Sequence, residues 1–140
     1  MTPITLEQYF GIYEDRIEES KKDEILDNSK ELLSSVNDFL LFLETERGLT
    51  ILINPLTNSC ISGQKNGGFR PLDCKEGSLH SSHKEVRGID IYDPFNSIDE
   101  CITNEDLIKF NLYREHPNAT IHWCHLTDRS PPSGRRSFMP

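Results

Sequence analysis

The feature that most constrains the fold is a long run of apolar and small residues with helical spacing in the first third of the chain. These residues recur at i, i+3, i+4 and i+7, and they are Ile25, Leu26, Ser29, Leu32, Leu33, Val36, Phe39, Leu40 and Leu43. Lys30, Glu31, Ser34 and Asp38 fall on the opposite face, and Arg47-Gly48 is a typical helix end. A helix with one apolar face has to bury it, so the pattern predicts a core-facing helix that ends near Arg47.

A second, shorter helix is predicted at the N-terminus. Thr5 and Gln8 have the spacing of a capping box, in which each side chain bonds the backbone of the other residue. This signal predicts a helix from Thr5 to about Glu18. Residues 1–47 are therefore expected to form a helical N-terminal part.

After Gly48 the helical spacing gives way to short alternating segments. The predicted strands are residues 49–53, 88–92 and 120–127, and a short helix capped by Asn104 lies between the last two. Residues 57–80 are rich in Gly, Ser, Asn and Lys and predict a long loop. Together these elements predict a single α+β domain over residues 1–140, with the helices packed on a small, mainly antiparallel sheet contributed by residues 48–140.

Charge and cysteine content exclude several functional classes. The net charge of −8 argues against nucleic acid or an anionic membrane as a partner. The chain has no apolar run of bilayer length and begins without a signal-peptide pattern, so we expect a monomeric protein made in the cytoplasm. The cysteines, which form no C-x-x-C pair and are expected to be free thiols, are Cys60, Cys74, Cys101 and Cys124.

Histidine and carboxylate residues gather in and beside the predicted strands. His83 precedes Asp90 by seven residues, and His122 and His125 lie in the third predicted strand. Zinc binds imidazole nitrogen and carboxylate oxygen, and catalytic zinc sites use three protein ligands with one position left open. Because side chains alternate along a strand, His122 and His125 point to opposite faces of a regular one, so only one of them is expected to face a metal bound by His83 and Asp90.

Three segments resemble a known family of zinc peptidases. Ser81-Ser82-His83 followed by Gly88-Ile89-Asp90 resembles the motif S-x-H-x-x-G-x-A-x-D of the D-alanyl-D-alanine carboxypeptidase family, which includes phage endolysins. Trp123-Cys124-His125 looks like the W-x-H segment of that family, and Gly68-Phe69-Arg70 looks like its arginine-bearing stretch. Residues 133–140 are similar to the tails of short phage-type members, so the resemblance spans residues 60–140.

The resemblance implies a role for each matched residue. His83, Asp90 and His125 would be the ligands of a Zn²⁺ ion, and Ser81 would hold a ligand by a hydrogen bond. Arg70 would bind a substrate carboxylate or stabilise the oxyanion. The implied activity is a metallopeptidase, a hydrolase that cuts peptidoglycan peptides as a carboxypeptidase or as an endolysin-type endopeptidase, with a metal-activated water as nucleophile. Such a protein would act on the cell wall after release from the cytoplasm.

The sequence departs from the family pattern at three positions. The family often carries an acidic base three residues before the last ligand, where this chain has His122; His122 is the first candidate for the base, and Glu115 is the reserve candidate. Val86 stands where the family usually has glycine, which would cost about 1–2 kcal/mol if that position needs a positive φ. Gly88 stands where alanine is usual, and a site for small residues is expected to tolerate that change.

Two other functions fit the same residues. One is a catalytically inactive module that holds zinc and binds a peptide or a protein partner. The other is a structural protein in which the metal only adds stability; such sites are closed, with no position left for water. Arg70 favours the peptidase, because a structural site has no use for a cation in the same loop.

Overall fold

The chain folds into helices packed around a four-stranded sheet. The computed structural model describes residues 1–77 and 81–140, so the last three residues of the predicted loop 57–80 lie outside the described residues. The helices are Leu6–Phe10 (α1), Lys22–Arg47 (α2), Ser97–Cys101 (α3) and Asn104–Lys109 (α4), with 3-10 turns at Gly11–Arg16, Glu19–Lys21 and Pro117–Ala119. The strands are Gly88–Tyr92 (β1), Tyr113–Glu115 (β2), Trp123–Thr127 (β3) and Ser137–Phe138 (β4). The predicted α+β class is confirmed.

The sheet is mostly antiparallel, as predicted. Its strand order is β1-β3-β2-β4; β3 pairs antiparallel with both β1 and β2, whereas β2 and β4 are parallel. In the β1–β3 pair, Ile91 lies opposite Cys124 and Asp90 lies opposite His125. Because side chains alternate, one face of this pair carries buried apolar residues and the other carries Asp90 and His125.

One hydrophobic core joins the helices to the apolar face of the sheet. The buried residues of α2 in this core are Leu32, Leu33, Val36, Phe39, Leu40 and Leu43, as the helical spacing predicts. The same core includes Tyr9 and Phe10 from α1 and Ile89, Ile91 and Leu126 from the sheet. Among the described residues, no helix combines the length and the apolar character needed to cross a membrane.

Helices α1 and α2 are each followed by a glycine with a positive φ angle. α2 ends at Gly48, which is left-handed with φ 65° and donates its N–H to the carbonyl of Leu43. The capping box of Thr5 and Gln8 is present, as predicted. The helix that it begins stops at Phe10, because Gly11 has φ 53°, and a 3-10 turn replaces the predicted continuation to Glu18.

The strand predicted at residues 49–53 is absent from the described sheet, and this prediction is wrong. The free edge of β1 is covered instead by residues 60–62, which follow the predicted strand in the sequence. The N–H of Tyr92 donates to the carbonyl of Cys60 at 2.7 Å, and the N–H of Ser62 donates to the carbonyl of Asp90 at 2.8 Å. The apolar pattern identified a segment that becomes partly buried, but pairing of the edge is decided by a different stretch of chain.

Two further boundaries differ from the prediction. Thr103 rather than Asn104 caps α4, because its hydroxyl accepts the N–H of Asp106 while the Asp106 carboxylate accepts the N–H of Thr103. The strand predicted from residue 120 begins only at Trp123, because His122 has φ 77° and breaks the extended backbone.

Val86 closes a tight turn that connects His83 to β1. The N–H of Val86 donates to the carbonyl of His83 at 3.3 Å, and the N–H of Arg87 donates to the carbonyl of Ser82 at 2.8 Å. Val86 has φ 61°, a left-handed conformation that is costly for a β-branched residue, and its side chain is buried in the core. A glycine, which the family that this segment resembles usually carries here, would fit this backbone without strain.

We predict that Val86→Gly is more stable than Val86→Ala by about 1 kcal/mol, because only glycine relieves the left-handed strain. Val36 provides the control, since it is fully buried in the right-handed helix α2. There, Val36→Gly should be less stable than Val36→Ala by about 1 kcal/mol. Urea unfolding of the four variants measures both differences, and the same order at the two positions would contradict the strain at Val86.

Candidate metal centre

Three predicted ligands lie together at the polar face of the sheet. Their candidate ligand atoms, from His83, Asp90 and His125, all lie within 4.8 Å of one another. Asp90 and His125 are neighbours because their strands pair in register, and the turn closed by Val86 carries His83 to the same point. The seven-residue spacing between His83 and Asp90 is thus the length of that turn plus the first residues of β1.

His83 is oriented by the backbone of the loop before it. Its Nδ1 lies 2.7 Å from the carbonyl oxygen of Gly68, and its Nε2 lies 3.3 Å from Oδ1 of Asp90. A carbonyl oxygen only accepts hydrogen bonds, so Nδ1 carries the hydrogen and Nε2 is the atom available to a metal. This is the arrangement found around histidine ligands, whose second nitrogen donates to a carbonyl or carboxylate.

His125 faces the cluster with its Nδ1 atom, whereas His83 faces it with Nε2. Its Nδ1 lies 2.8 Å from Oδ1 of Asp90, and its Nε2 lies 3.0 Å from the hydroxyl oxygen of Ser82. The two imidazole rings are buried, and their centroids are 5.0 Å apart. Each candidate histidine ligand therefore has one nitrogen towards Asp90 and the other held by the protein.

Asp90 is the negative charge at the centre of the cluster. Burial opposes its ionisation, but the favourable electrostatic interactions with the neighbouring His83 and His125 outweigh burial and hold the pKa of Asp90 below its usual value. Asp90 is therefore a carboxylate at neutral pH and a ready ligand for a cation.

Arg70 lies beside the cluster, as the resemblance implies. Its Nη2 lies 3.5 Å from Oδ2 of Asp90, while its Nε donates to the carbonyl of Asn66 at 2.7 Å. The backbone N–H of Arg70 also donates to the carbonyl of His83 at 3.4 Å. Its guanidinium is thus held at the rim of the cluster by contacts that do not depend on a metal.

The two adjacent serines have different roles. The hydroxyl of Ser81, the serine that matches the family motif, accepts the backbone N–H of His83 at 3.3 Å and so holds the turn rather than an imidazole. The hydroxyl of Ser82 is the one that contacts the ring of His125. Sequence reasoning did not identify Ser82, because the two residues are 43 positions apart and no local pattern connects them.

The structure separates the two candidate bases. His122 is exposed, its Nδ1 lies 3.0 Å from the carbonyl of Pro94, and among the described residues it does not line the cavity at the cluster. Glu115 does line that cavity. In the β2–β3 pair Arg114 lies opposite Leu126, so the same register places Glu115, one residue later, opposite His125 and on the same face.

The cluster opens onto two cavities that share some of their walls. The larger, of about 1040 Å³, is lined by the cluster, by Glu115 and by the C-terminal segment around Phe138. The smaller, of about 280 Å³, is lined by residues 62–67. Arg70, Asp90 and Trp123 line both cavities. A molecule in the larger cavity can therefore reach all three candidate ligands, and one in the smaller cavity can reach Asp90.

The residues fit a zinc ion. Two imidazoles and one carboxylate are the ligand types that zinc prefers. The separation of 3.3 Å between His83 Nε2 and Asp90 Oδ1 matches the edge of about 3.3 Å expected for a tetrahedral site with ligands at 2.0–2.1 Å, and the 2.8 Å between His125 Nδ1 and the same oxygen is shorter than that edge. The neighbouring cavity leaves room for a water and a substrate.

Comparisons of this chain with protein-family models, with curated proteins and with solved structures find no match. The likeness to zinc peptidases therefore stays a resemblance in three short motifs. What the site can do follows from the geometry of the three side chains and the cavity beside them.

We predict that the protein holds one zinc ion per chain, and that His83→Ala and His125→Ala weaken zinc binding by at least about 100-fold, because loss of a direct ligand should cost no less than loss of its outer partner. His122→Ala is the control and should bind zinc like the wild type, since its ring contacts Pro94 instead. Elemental analysis after dialysis against chelator-buffered zinc measures the content. Equal zinc in wild type and His83→Ala would contradict the site.

Proposed function

We propose that this chain is a zinc-dependent peptidase that hydrolyses peptidoglycan peptides with a metal-activated water. The observation that carries this proposal is the convergence of His83, Asp90 and His125 beside a cavity that also exposes Glu115 and Arg70. These are the parts that peptide hydrolysis needs: a metal site, a base and a cation for the developing negative charge. The motif resemblance supports peptidoglycan as the substrate and the cell wall, reached after release, as the place of action.

The ligand set defines what the protein does for the ion. Nε2 of His83, Nδ1 of His125 and Oδ1 of Asp90 would hold it, with one negative charge among the three ligands. When bound, Zn²⁺ supplies a water with a pKa lowered to about 7 and a Lewis acid for the scissile carbonyl. The carbonyl of Gly68 and the hydroxyl of Ser82 keep the two rings in place while the substrate reacts.

Glu115 is the base in this proposal. The strand register places Glu115 of β2 opposite His125 of β3, and Asp90 of β1 pairs with His125 on the other side. The three side chains therefore form one row on the polar face of the sheet. A carboxylate in this position takes a proton from the attacking water and returns it to the leaving amine. His122 would need its ring to leave Pro94 and its backbone to leave φ 77° to do the same.

Arg70 stabilises the negative charge of the substrate in this proposal. Its Nη2 is 3.5 Å from Asp90, a separation that leaves hydrogen-bonding capacity for a substrate oxygen. The contact of its Nε with Asn66 fixes the guanidinium before the substrate arrives, so little reorganisation is needed. The substrate oxygen would be the oxyanion in an endopeptidase or the terminal carboxylate in a carboxypeptidase.

A catalytically inactive, zinc-holding module that binds a peptide or a protein is the second candidate. The observation that favours it is the position of His122, because the residue in the usual place of the base is turned towards Pro94. Both candidates need the same metal site and the same cavity. They differ in whether Glu115 acts on a bound peptide.

We predict that Glu115→Gln lowers kcat for peptidoglycan hydrolysis by about 10²–10⁴-fold, the usual range for loss of a general base, without loss of zinc. His122→Gln is the matched control and should change kcat by less than about threefold, within the scatter expected of a group outside the reaction. The measurements are release of new amino groups from purified peptidoglycan and zinc content of the same samples. A large loss in His122→Gln alone would move the base to that residue, and zinc-loaded wild type that binds but never cuts would favour the second candidate.

A further inference from the structure

Ser82 and Gly88 form a small buried unit around one nitrogen of His125. The hydroxyl oxygen of Ser82 lies 3.0 Å from Nε2, and both side chains are buried. A Cβ atom on Gly88 would lie 2.2 Å from that hydroxyl oxygen and 3.0 Å from Cε1 of His125. The absent side chain of Gly88 thus makes the space that the hydroxyl occupies.

The partner of His125 differs in kind from the partner of His83. The carbonyl of Gly68 can only accept a hydrogen bond, so the hydrogen of His83 stays on Nδ1. A serine hydroxyl can either donate or accept, so it can satisfy Nε2 of His125 with or without a hydrogen on that atom. Water has little access to replace this hydroxyl, because Ser82 is only 6% exposed.

The two states of the site place different demands on His125. Nδ1 lies 2.8 Å from a carboxylate oxygen of Asp90, and whenever no ion joins the two atoms, a hydrogen on Nδ1 has to make the bond. As a metal ligand, Nδ1 needs its lone pair, so the single hydrogen of the neutral ring has to be on Nε2. The partner of Nε2 must therefore accept in one state and donate in the other.

We propose that Ser82 is a positioning residue whose hydroxyl reverses its hydrogen bond to His125 when a metal binds, and that Gly88 is required because it makes room for that hydroxyl. This inference rests on the metal site of the proposed function, but not on peptide cleavage. The reversal conserves hydrogens: the ring moves its one hydrogen from Nδ1 to Nε2, and the hydroxyl turns its own away.

Gly88 is fixed in this unit from the other side as well. The buried hydroxyl of Tyr9 donates to the carbonyl of Gly88 at 3.0 Å, and Gly88 pairs with Thr127 across the sheet. The backbone is therefore restrained against moving away from an added side chain. Gly88→Ala should displace the Ser82 hydroxyl and act like Ser82→Ala, contrary to the expectation that a small residue is tolerated at this position.

Zinc affinity, measured by competition with a chelator, tests the role of Ser82. Ser82→Ala and Gly88→Ala should each bind zinc about 10–100-fold more weakly than wild type, the usual cost of losing the outer partner of a histidine ligand. Ser29→Ala is the matched control, because Ser29 is also a buried serine with one hydrogen bond, to the carbonyl of Ile25 in α2. Its affinity should equal that of wild type, and circular dichroism and urea unfolding check that every variant is folded. Wild-type affinity in folded Ser82→Ala would overturn the proposal.

A second readout follows the hydrogen itself. Nitrogen NMR of ¹⁵N-histidine protein at pH 8 reports which ring nitrogen of His125 carries hydrogen, with His125→Gln used to assign the signal. The hydrogen should be on Nδ1 in the metal-free wild type and on Nε2 after zinc is added. Hydrogen on Nε2 in both states, or a doubly protonated ring without metal, would overturn the reversal. Wild type that binds zinc but cuts no peptide contradicts the proposed function and leaves this test intact.

Discussion

The candidate site depends on one constraint, the register of β1 against β3. That register places Asp90 beside His125 on one face and stacks Ile89, Ile91, Cys124 and Leu126 on the other, where all four are fully or almost fully buried. A slip of one residue would move Asp90 into the core and expose the apolar side chains, so the core selects the register strongly. The geometry of the polar cluster is therefore a consequence of packing on the opposite face. The hydrophobic core supplies the free energy that holds these polar side chains together.

The N-terminal helices, which match no catalytic motif, also hold this site. Tyr9 in α1 donates its hydroxyl to the carbonyl of Gly88 and accepts the N–H of Phe69 on its own carbonyl. A Cβ atom on Gly68 would lie 2.2 Å from that carbonyl, so only glycine lets the loop that orients His83 come so close to α1. Burial raises the pKa of the Tyr9 phenol, which keeps it a neutral donor at any physiological pH. Helix α1 thus connects the supports of both histidines.

Elements that depend on local interactions were predictable from the periodicity of the sequence. Contacts that depend on the pairing of distant segments were not. Helix α2 and strand β1 were predictable because their apolar spacing repeats within a few residues. The contact of Ser82 with His125 was not, because it depends on how the turn closed by Val86 meets a strand 43 residues away. For His122, strand alternation correctly separated it from His125, but the break at φ 77° that turns it towards Pro94 left no periodic signal in the sequence.

The openness of the cluster argues against a metal that serves only stability. A buried charged network is a weak source of folding free energy, because desolvation of its members offsets their attraction. A structural zinc site is closed by four protein ligands, whereas the described residues supply three here, next to a cavity that Glu115 and Arg70 also line. A protein in which the metal served only stability would be more stable if apolar side chains filled this space. In the proposed hydrolytic site Glu115 would serve as the base and Arg70 as the cation, and their position beside the cluster favours the proposed peptidase over a structural metal site.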